Sequence, residues 1–320
     1  MPGGCDSDVL VVWHRDGVQR IVGRVGRLGV GGARARLAIA VLVSATFLAA
    51  CSSDPRGGHD PNRTGQPVPR PTGSFVIGDG TALSVEDPSV RELRVEVLGR
   101  FPHDPGSYTQ GLVEAPDGRL FESAGRYGSS DVREVDLATG AVRWRAPLDD
   151  EYFGEGLAWV DGELVQLTWK EGTAFVWVPG AGSPRSDLRY EGEGWGLCDD
   201  GDRMVMSDGS SRLTFRDRVS FEATGAVEVV MDGDPLERLN ELECVDGVVW
   251  ANVYQTDLIV VIDPSDGQVL ARVDASGLLE PGERARADVL NGIAYRPGTD
   301  TFLLTGKLWP WMFEVRFVPV

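Results

Sequence analysis

A chain of 320 residues, 42% of them hydrophobic, with 41 Gly, 19 Pro and 9 Trp, has the makeup of a globular protein built from many short strands and turns, which excludes a helical bundle and a disordered polymer. Its formal charge is −18; residues 1–50 hold six Arg and three Asp, so the remainder carries 46 acidic against 25 basic residues, or −21. So acidic a domain excludes nucleic acid as a partner, is expected to stay a soluble monomer, and favours cationic guests such as free peptide amino termini.

In chain order, Met1–Gly32 show neither a signal layout nor a clear period, and a translation start assigned too far upstream is the expectation for them. Arg34 and Arg36 then lead into 14 apolar residues, Leu37–Ala50 (LAIAVLVSATFLAA). This is the layout of a secretory signal, and it falls short of the about 20 residues of a membrane span. Its last positions, Leu48-Ala49-Ala50-Cys51, look like a bacterial lipobox, in which small residues admit the signal peptidase and the cysteine receives lipid; a buried core helix with an incidental cysteine is the alternative. Ser52–Thr72 is a polar stretch rich in Pro, Gly and Arg, which reads as a tether. The expected organisation is a leader over 1–50, a flexible tether over 51–90 and a folded domain over 91–320. The location expected is exported, with lipid on Cys51 anchoring the domain to the outer face of a bacterial cell membrane.

Beyond the tether, Leu93–Phe101 reads as a lone strand, and a pattern of glycine, apolar pair, turn and β-rich run follows five times. The copies are GLVEAPDGRLFESAG from Gly111, GLAWVDGELVQLTWK from Gly156, GLCDDGDRMVMSDG from Gly196, LECVDGVVWANVY from Leu242 and GIAYRPGTDTFLLTG from Gly292. Their third residues, Val113, Ala158, Cys198, Cys244 and Ala294, advance by 45, 40, 46 and 50. Each copy predicts a hairpin, with Asp117-Gly118, Asp161-Gly162, Asp200-Gly201 and Asp246-Gly247 supplying positive φ and Pro297-Gly298 standing in the last. Further hairpins fill the gaps, giving about four strands per repeat, the layout of a propeller blade. The fold class expected is all-β, a five-bladed β-propeller, closed by the strand Leu93–Phe101 sharing a blade with Trp311–Val318.

The innermost strand of each blade runs along the central channel, so the residues just before each copy form a ring at one mouth. They are Gln110, Glu155, Trp195, Glu241 and Asn291. Five unlike functional groups at equivalent positions point to a site; a set of solvated loop residues is the plainer reading. Glu243 and Asp208 read as turn or packing residues. Cys198 and Cys244 occupy equivalent positions in adjacent repeats, and a disulfide and a pair of buried thiols both stay open.

The motifs FPHDPGSYTQGL, ESAGRYGSS, FGEGL, LTWKEG, EGWGL, SDGS, LNELE, ANVY, LNGIAY and TGKLWP, in that order from Phe101 onward, resemble those of the glutamine cyclotransferase family of plants and bacteria. The resemblance implies an enzyme that converts the N-terminal glutamine of a peptide or protein to pyroglutamate with release of ammonia, and that works without metal or other cofactor. Carried over motif by motif, it implies a channel lined by Gln110, Phe153, Glu155, Trp169, Trp195, Asn240 and Lys307, with Glu155 at the family's acid/base position. One departure stands out: Tyr254 follows Ala-Asn-Val where the family often has Trp, which keeps an aromatic wall and adds a hydroxyl.

The chemistry gives these residue types a purpose. The α-amine must attack its own side-chain carboxamide, an oxyanion forms, and ammonia must leave protonated. A carboxylate beside an amine of pKa about 7.7–8.0 can carry that proton, the role expected of Glu155. Lys307, with Gln110 or Asn240, is expected to donate to the developing oxyanion. Phe153, Trp169, Trp195 and Tyr254 are expected to wall an apolar slot, with Glu241 and Asn291 also binding substrate. Against these stand plainer readings: the tryptophans as inter-blade packing, and Lys307 as a structural bridge to Glu155 or Glu241. The histidines beyond the leader, His59 in the tether and His103 ahead of the first repeat, are too few and too scattered for a His-rich zinc site. Two rival functions remain: a metal-dependent propeller lactonase or hydrolase using Glu155, Asn240, Glu241 and Asn291 as oxygen ligands, and a non-catalytic surface-binding propeller.

Overall fold

The structure, a computed structural model, describes residues 89–320 and, before them, the backbone of two short antiparallel strands, β1 (Phe75–Ile77) and β2 (Thr81–Leu83). This small hairpin falls inside the stretch read as tether. The leader, the lipobox with Cys51, and His59 lie outside the described residues.

β3 (Arg91–Pro102) comes next and is followed by four-stranded antiparallel sheets in simple succession. The first holds β4 (Thr109–Glu114), β5 (Leu120–Ala124), β6 (Asp131–Val135) and β7 (Val142–Pro147). The second holds β8 (Gly154–Val160), β9 (Glu163–Thr168), β10 (Thr173–Trp177) and β11 (Ser186–Arg189). The third holds β12 (Leu197–Asp199), β13 (Met204–Ser207), β14 (Arg212–Arg216) and β15 (Ala223–Glu228), after which β16 (Val230–Met231) and β17 (Asp234–Pro235) pair by themselves. Then come β18 (Leu239–Val245), β19 (Val248–Val253), β20 (Leu258–Ile262) and β21 (Val269–Asp274), the short helix α1 (Pro281–Arg284), and β22 (Leu290–Tyr295), β23 (Phe302–Gly306) and β24 (Trp311–Pro319). β3 pairs antiparallel with β24 from Trp311↔Pro102 to Pro319↔Leu93, so the two ends of the domain share a sheet as expected. A parallel pairing of β21 with β3 joins these last strands into an eight-stranded sheet of order β18-β19-β20-β21-β3-β24-β23-β22.

The first strands of these sets touch in a closed ring: β4 meets β8, β8 meets β12, β12 meets β18, β18 meets β22, and β22 returns to β4. The fold is therefore all-β and propeller-like. Burial follows the same geometry, with β4, β8, β18 and β22 almost wholly buried and the outer strands β7, β11 and β15 largely exposed. The repeated glycine has a steric cause. A Cβ on Gly156 would stand 2.6 Å from Leu197 N, and one on Gly196 would stand 2.0 Å from Asn240 O. Neighbouring first strands approach too closely for any side chain there.

The Asp-Gly turns divide in two. Asp161-Gly162 and Asp246-Gly247 have positive φ at both residues, whereas at Asp117-Gly118 and Asp200-Gly201 only the glycine does, so the aspartate contributes no left-handed residue there. Apolar side chains fill the space between sheets; Trp250 stacks on Phe317 at 4.7 Å and tilts against Phe302 at 4.8 Å. The cysteine question resolves as a disulfide: Cys198 and Cys244 are bridged between β12 and β18, with Cα atoms 5.4 Å apart, inside the range a bridge requires.

Candidate active site

The ring strands build the site where their ladders break. Register shifts occur between Thr109 and Gly111 in β4, Gly154 and Leu157 in β8, Leu239 and Leu242 in β18, and Leu290 and Ile293 in β22. A bulge takes residues out of the ladder and re-aims their side chains. The residues inside these shifts include Gln110, Glu155, Asn240, Glu241 and Asn291. In the third sheet the equivalent place is Trp195, just ahead of β12, whose carbonyl accepts from Gly156 N at 2.8 Å.

A cavity of about 280 Å³ opens at this end of the ring, lined by Tyr108, Gln110, Phe153, Glu155, Trp169, Trp195, Asn240, Tyr254 and Lys307. It gathers Gln110, Phe153, Glu155, Trp169, Trp195, Asn240, Tyr254 and Lys307 as expected. It also adds Tyr108, which sequence reasoning missed. A signal was available: Tyr108 stands two residues before Gln110 as Phe153 stands two before Glu155, each an aromatic ahead of its bulge.

Glu241 and Asn291, expected to bind substrate, are not among the residues that line the cavity. Glu241 Oε1 accepts from Leu112 N at 3.1 Å and Oε2 from Ile293 N at 2.7 Å, so its carboxylate ties β4 to β22. Asn240 and Glu241 are consecutive in one bulge, and a side chain at the mouth leaves its neighbour aimed elsewhere. Asn291 is buried and supports the site: its Nδ2 donates to Thr109 O at 3.0 Å and to Gln110 Oε1 at 3.3 Å. Of the four oxygen ligands that a lactonase reading needs, Glu155 and Asn240 line the cavity, whereas Asn291 does not and both oxygens of Glu241 are committed to backbone N–H groups. Glu243 accepts from Tyr295 N at 3.1 Å and Asp208 from Ser210 N at 3.0 Å.

Gln110 Nε2 donates to Glu155 Oε1 at 2.8 Å, and Glu155 is 5% exposed. Burial pushes its carboxyl well above the usual range; the Lys307 charge opposes this, and Glu193 and Glu171 add to it. Lys307 is 3% exposed. Burial lowers its ammonium, against the pull of Glu155 and Asp288. Its Nζ lies 4.8 Å from the centroid of Tyr108 and 5.2 Å from that of Tyr254, between two aromatic faces. Among the described residues it makes no close ion pair with a carboxylate, which removes the structural-bridge reading. Among the described residues Asn240 Oδ1 is buried without a hydrogen-bond partner, an arrangement that costs free energy unless a guest bonds there.

Aromatic rings complete the walls in edge-on pairs: Phe153 with Trp169 at 5.7 Å, Trp195 with Tyr254 at 5.5 Å, and Tyr108 with Phe153 at 6.4 Å. His103 lies in the loop between β3 and β4 and is buried there. Its Nε2 bonds Glu122 at 3.0 Å and its Nδ1 bonds Trp309 O at 2.7 Å. Ser107 and Thr109, which flank Tyr108, donate to the same Glu122 oxygen. The pair thus pins the Tyr108 segment to the turn after Lys307.

The chain matches the family model described as Glutamine cyclotransferase over residues 75–317. It is 39% identical over 251 residues to a glutaminyl-peptide cyclotransferase of Arabidopsis thaliana, covering 77% of this chain and 77% of that protein. It is similar to the crystal structure of Myxococcus xanthus glutaminyl cyclase, with 38% identity and a TM-score of 0.66 over 72% of this chain and 100% of that one.

Proposed function

The chain belongs to the glutamine cyclotransferase family and is a glutaminyl-peptide cyclotransferase; from that premise we propose that the cavity closes an N-terminal glutamine into pyroglutamate with Glu155 as proton carrier. The observation that carries this reading is the Gln110–Glu155 hydrogen bond at 2.8 Å inside an aromatic cavity that also holds Lys307. The aromatic walls exclude water and fold the short side chain back on its own amine, which makes the attack intramolecular. Glu155, raised by burial, holds a proton taken from an α-amine of pKa about 7.7–8.0 more readily than an ordinary carboxylate does.

As the amine nitrogen bonds the side-chain carbonyl carbon, Glu155 takes its proton. The carbonyl oxygen gains the negative charge, and Lys307 Nζ with the Asn240 amide are the donors free to meet it, since Gln110 Nε2 is engaged with Glu155. Collapse of the tetrahedral carbon breaks the bond to the amide nitrogen, Glu155 returns the proton to it, and ammonia leaves. Ammonia release from a Gln-Xaa dipeptide tests the reading, with the Glu155→Gln variant as control.

The same proposal includes the finer architecture and setting. Counting each four-strand set as one blade, with β3, β22, β23 and β24 making the last, supports a five-bladed propeller. The apolar run ahead of Cys51 and the acidic remainder support an exported monomer held to the outer membrane face by lipid. Cys51→Ala is expected to move the protein from the membrane fraction to the soluble one.

A further inference from the structure

We propose that Glu193 is a positioning residue of the cyclisation, setting the gap between the two indole walls and with it the fit of the glutamine side chain. The inference rests on the cavity being the cyclisation site. Trp169 follows β9 and Trp195 precedes β12, so the two rings come from different sheets and share no ladder. Glu193 Oε2 accepts from both, at 2.7 Å from Trp169 Nε1 and 3.1 Å from Trp195 Nε1. One oxygen atom therefore fixes where two walls stand relative to each other.

The surrounding chain holds that oxygen in place. Gly194 N donates to Trp169 O at 2.8 Å, and a Cβ on Gly194 would stand 2.4 Å from Tyr190 Oη, so only glycine lets Glu193 turn in here. Behind Trp195, a Cβ on Gly209 would meet the indole ring at 2.7 Å, which leaves that ring no room to retreat. Lys170 Nζ lies 3.7 Å from the Trp169 centroid and 3.6 Å from Glu193 Oε1, so it covers the ring and faces the free oxygen. Partial burial works to raise the Glu193 carboxyl, but the bonds from Trp195 and Trp169 and the Lys170 charge outweigh it and leave it lowered. The acceptor stays ionised, and charged acceptors make the stronger bonds.

Glu193 touches no reacting atom in this account; it acts through the indoles. A plain surface ion pair with Lys170 is the contrasting role, and exposed pairs of that kind contribute little. The test measures KM and kcat for a Gln-Xaa dipeptide, together with tryptophan emission and its quenching by acrylamide, in the full chain. Glu193→Ala is expected to raise KM roughly tenfold with a smaller change in kcat, the pattern of lost uniform binding, and to make the indoles easier to quench. Glu193→Gln keeps one acceptor oxygen and is expected to recover most of the loss. Should the alanine variant fail to fold, Glu193→Asp serves instead, since the shorter arm reaches one indole at most. Wild-type KM and quenching in the alanine or aspartate variant overturns the role of Glu193. An absence of ammonia release by the wild type overturns the underlying reading instead.

Discussion

Glu155 and Glu241 stand in bulges of two ring strands, β8 and β18, and burial pushes both carboxyls well above their usual range. They differ in what answers them. Both oxygens of Glu241 accept main-chain N–H groups, from Leu112 and Ile293. Glu155 has one side-chain donor, Gln110, with a buried lysine in reach of its charge and a cavity beside it. A buried carboxylate whose bonds go to the backbone fastens strands together; one left partly unanswered at a cavity is available for chemistry. The difference lies in hydrogen-bond partners, since residue type, burial and position in a bulge are shared.

Substitutions at these two positions test that contrast. Glu155→Gln is expected to lower kcat for a Gln-Xaa dipeptide by about 100- to 10,000-fold, the range for a general acid–base group, with no loss of thermal stability. A matching fall in stability would place Glu155 with Glu241. Lys307→Met is expected to cost roughly 100- to 1,000-fold in kcat, as for an oxyanion donor. Glu241→Ala strands two buried N–H donors and is expected to destabilise the fold by about 2–5 kcal/mol, read by urea unfolding, while the folded fraction keeps its KM. The smallest effect expected is from Asn291→Ala, which leaves Glu155 in place but loosens Gln110: roughly a three- to tenfold fall in kcat, the scale of about one hydrogen bond.

The pH profile carries the same contrast. Below its raised pKa, Glu155 is protonated and cannot take the proton, so kcat/KM rises with pH through a limb above the about 4.3 of an ordinary glutamate. Burial lowers Lys307, so as pH rises its charge is lost before the about 10.4 of a free lysine is reached, and activity falls with it. The Lys307 charge works to lower Glu155; Lys307→Met is therefore expected to move the acid limb upward. A limb that stays put in that variant would show that another group sets it.

Much of the ring was legible because sterics write it into the chain. Gly156 and Gly196 recur where first strands come too close for a Cβ, and that recurrence exposes the repeat and the position just before it. What the repeat does not carry is direction within a bulge. Asn240 and Glu241 are both polar and adjacent, and strand alternation fails where the register shifts, so which of them faces the mouth depends on Leu112 and Ile293 from other strands. The role of His103 was out of reach for a similar reason: its partners Glu122 and Trp309 are 19 and 206 residues away. Glu193 carries no repeat signal at all. Its role comes from two indoles that meet only once the sheets are assembled.

The pairing of β3 with β24 also bears on how the chain acquires its shape. β3 finds its partner in β24, some two hundred residues further along the chain, so the sheet that contains both stays incomplete until β24 has been made. Closing a loop of that length is slow even when the product is stable. The register brings Pro319 opposite Leu93, which means residues 91–102 can be moved to follow Val320 through a short turn and make the same pairing as a local hairpin. Such a rearranged chain is expected to keep the cavity and its kinetics while refolding faster than the natural order, a difference stopped-flow fluorescence would read directly.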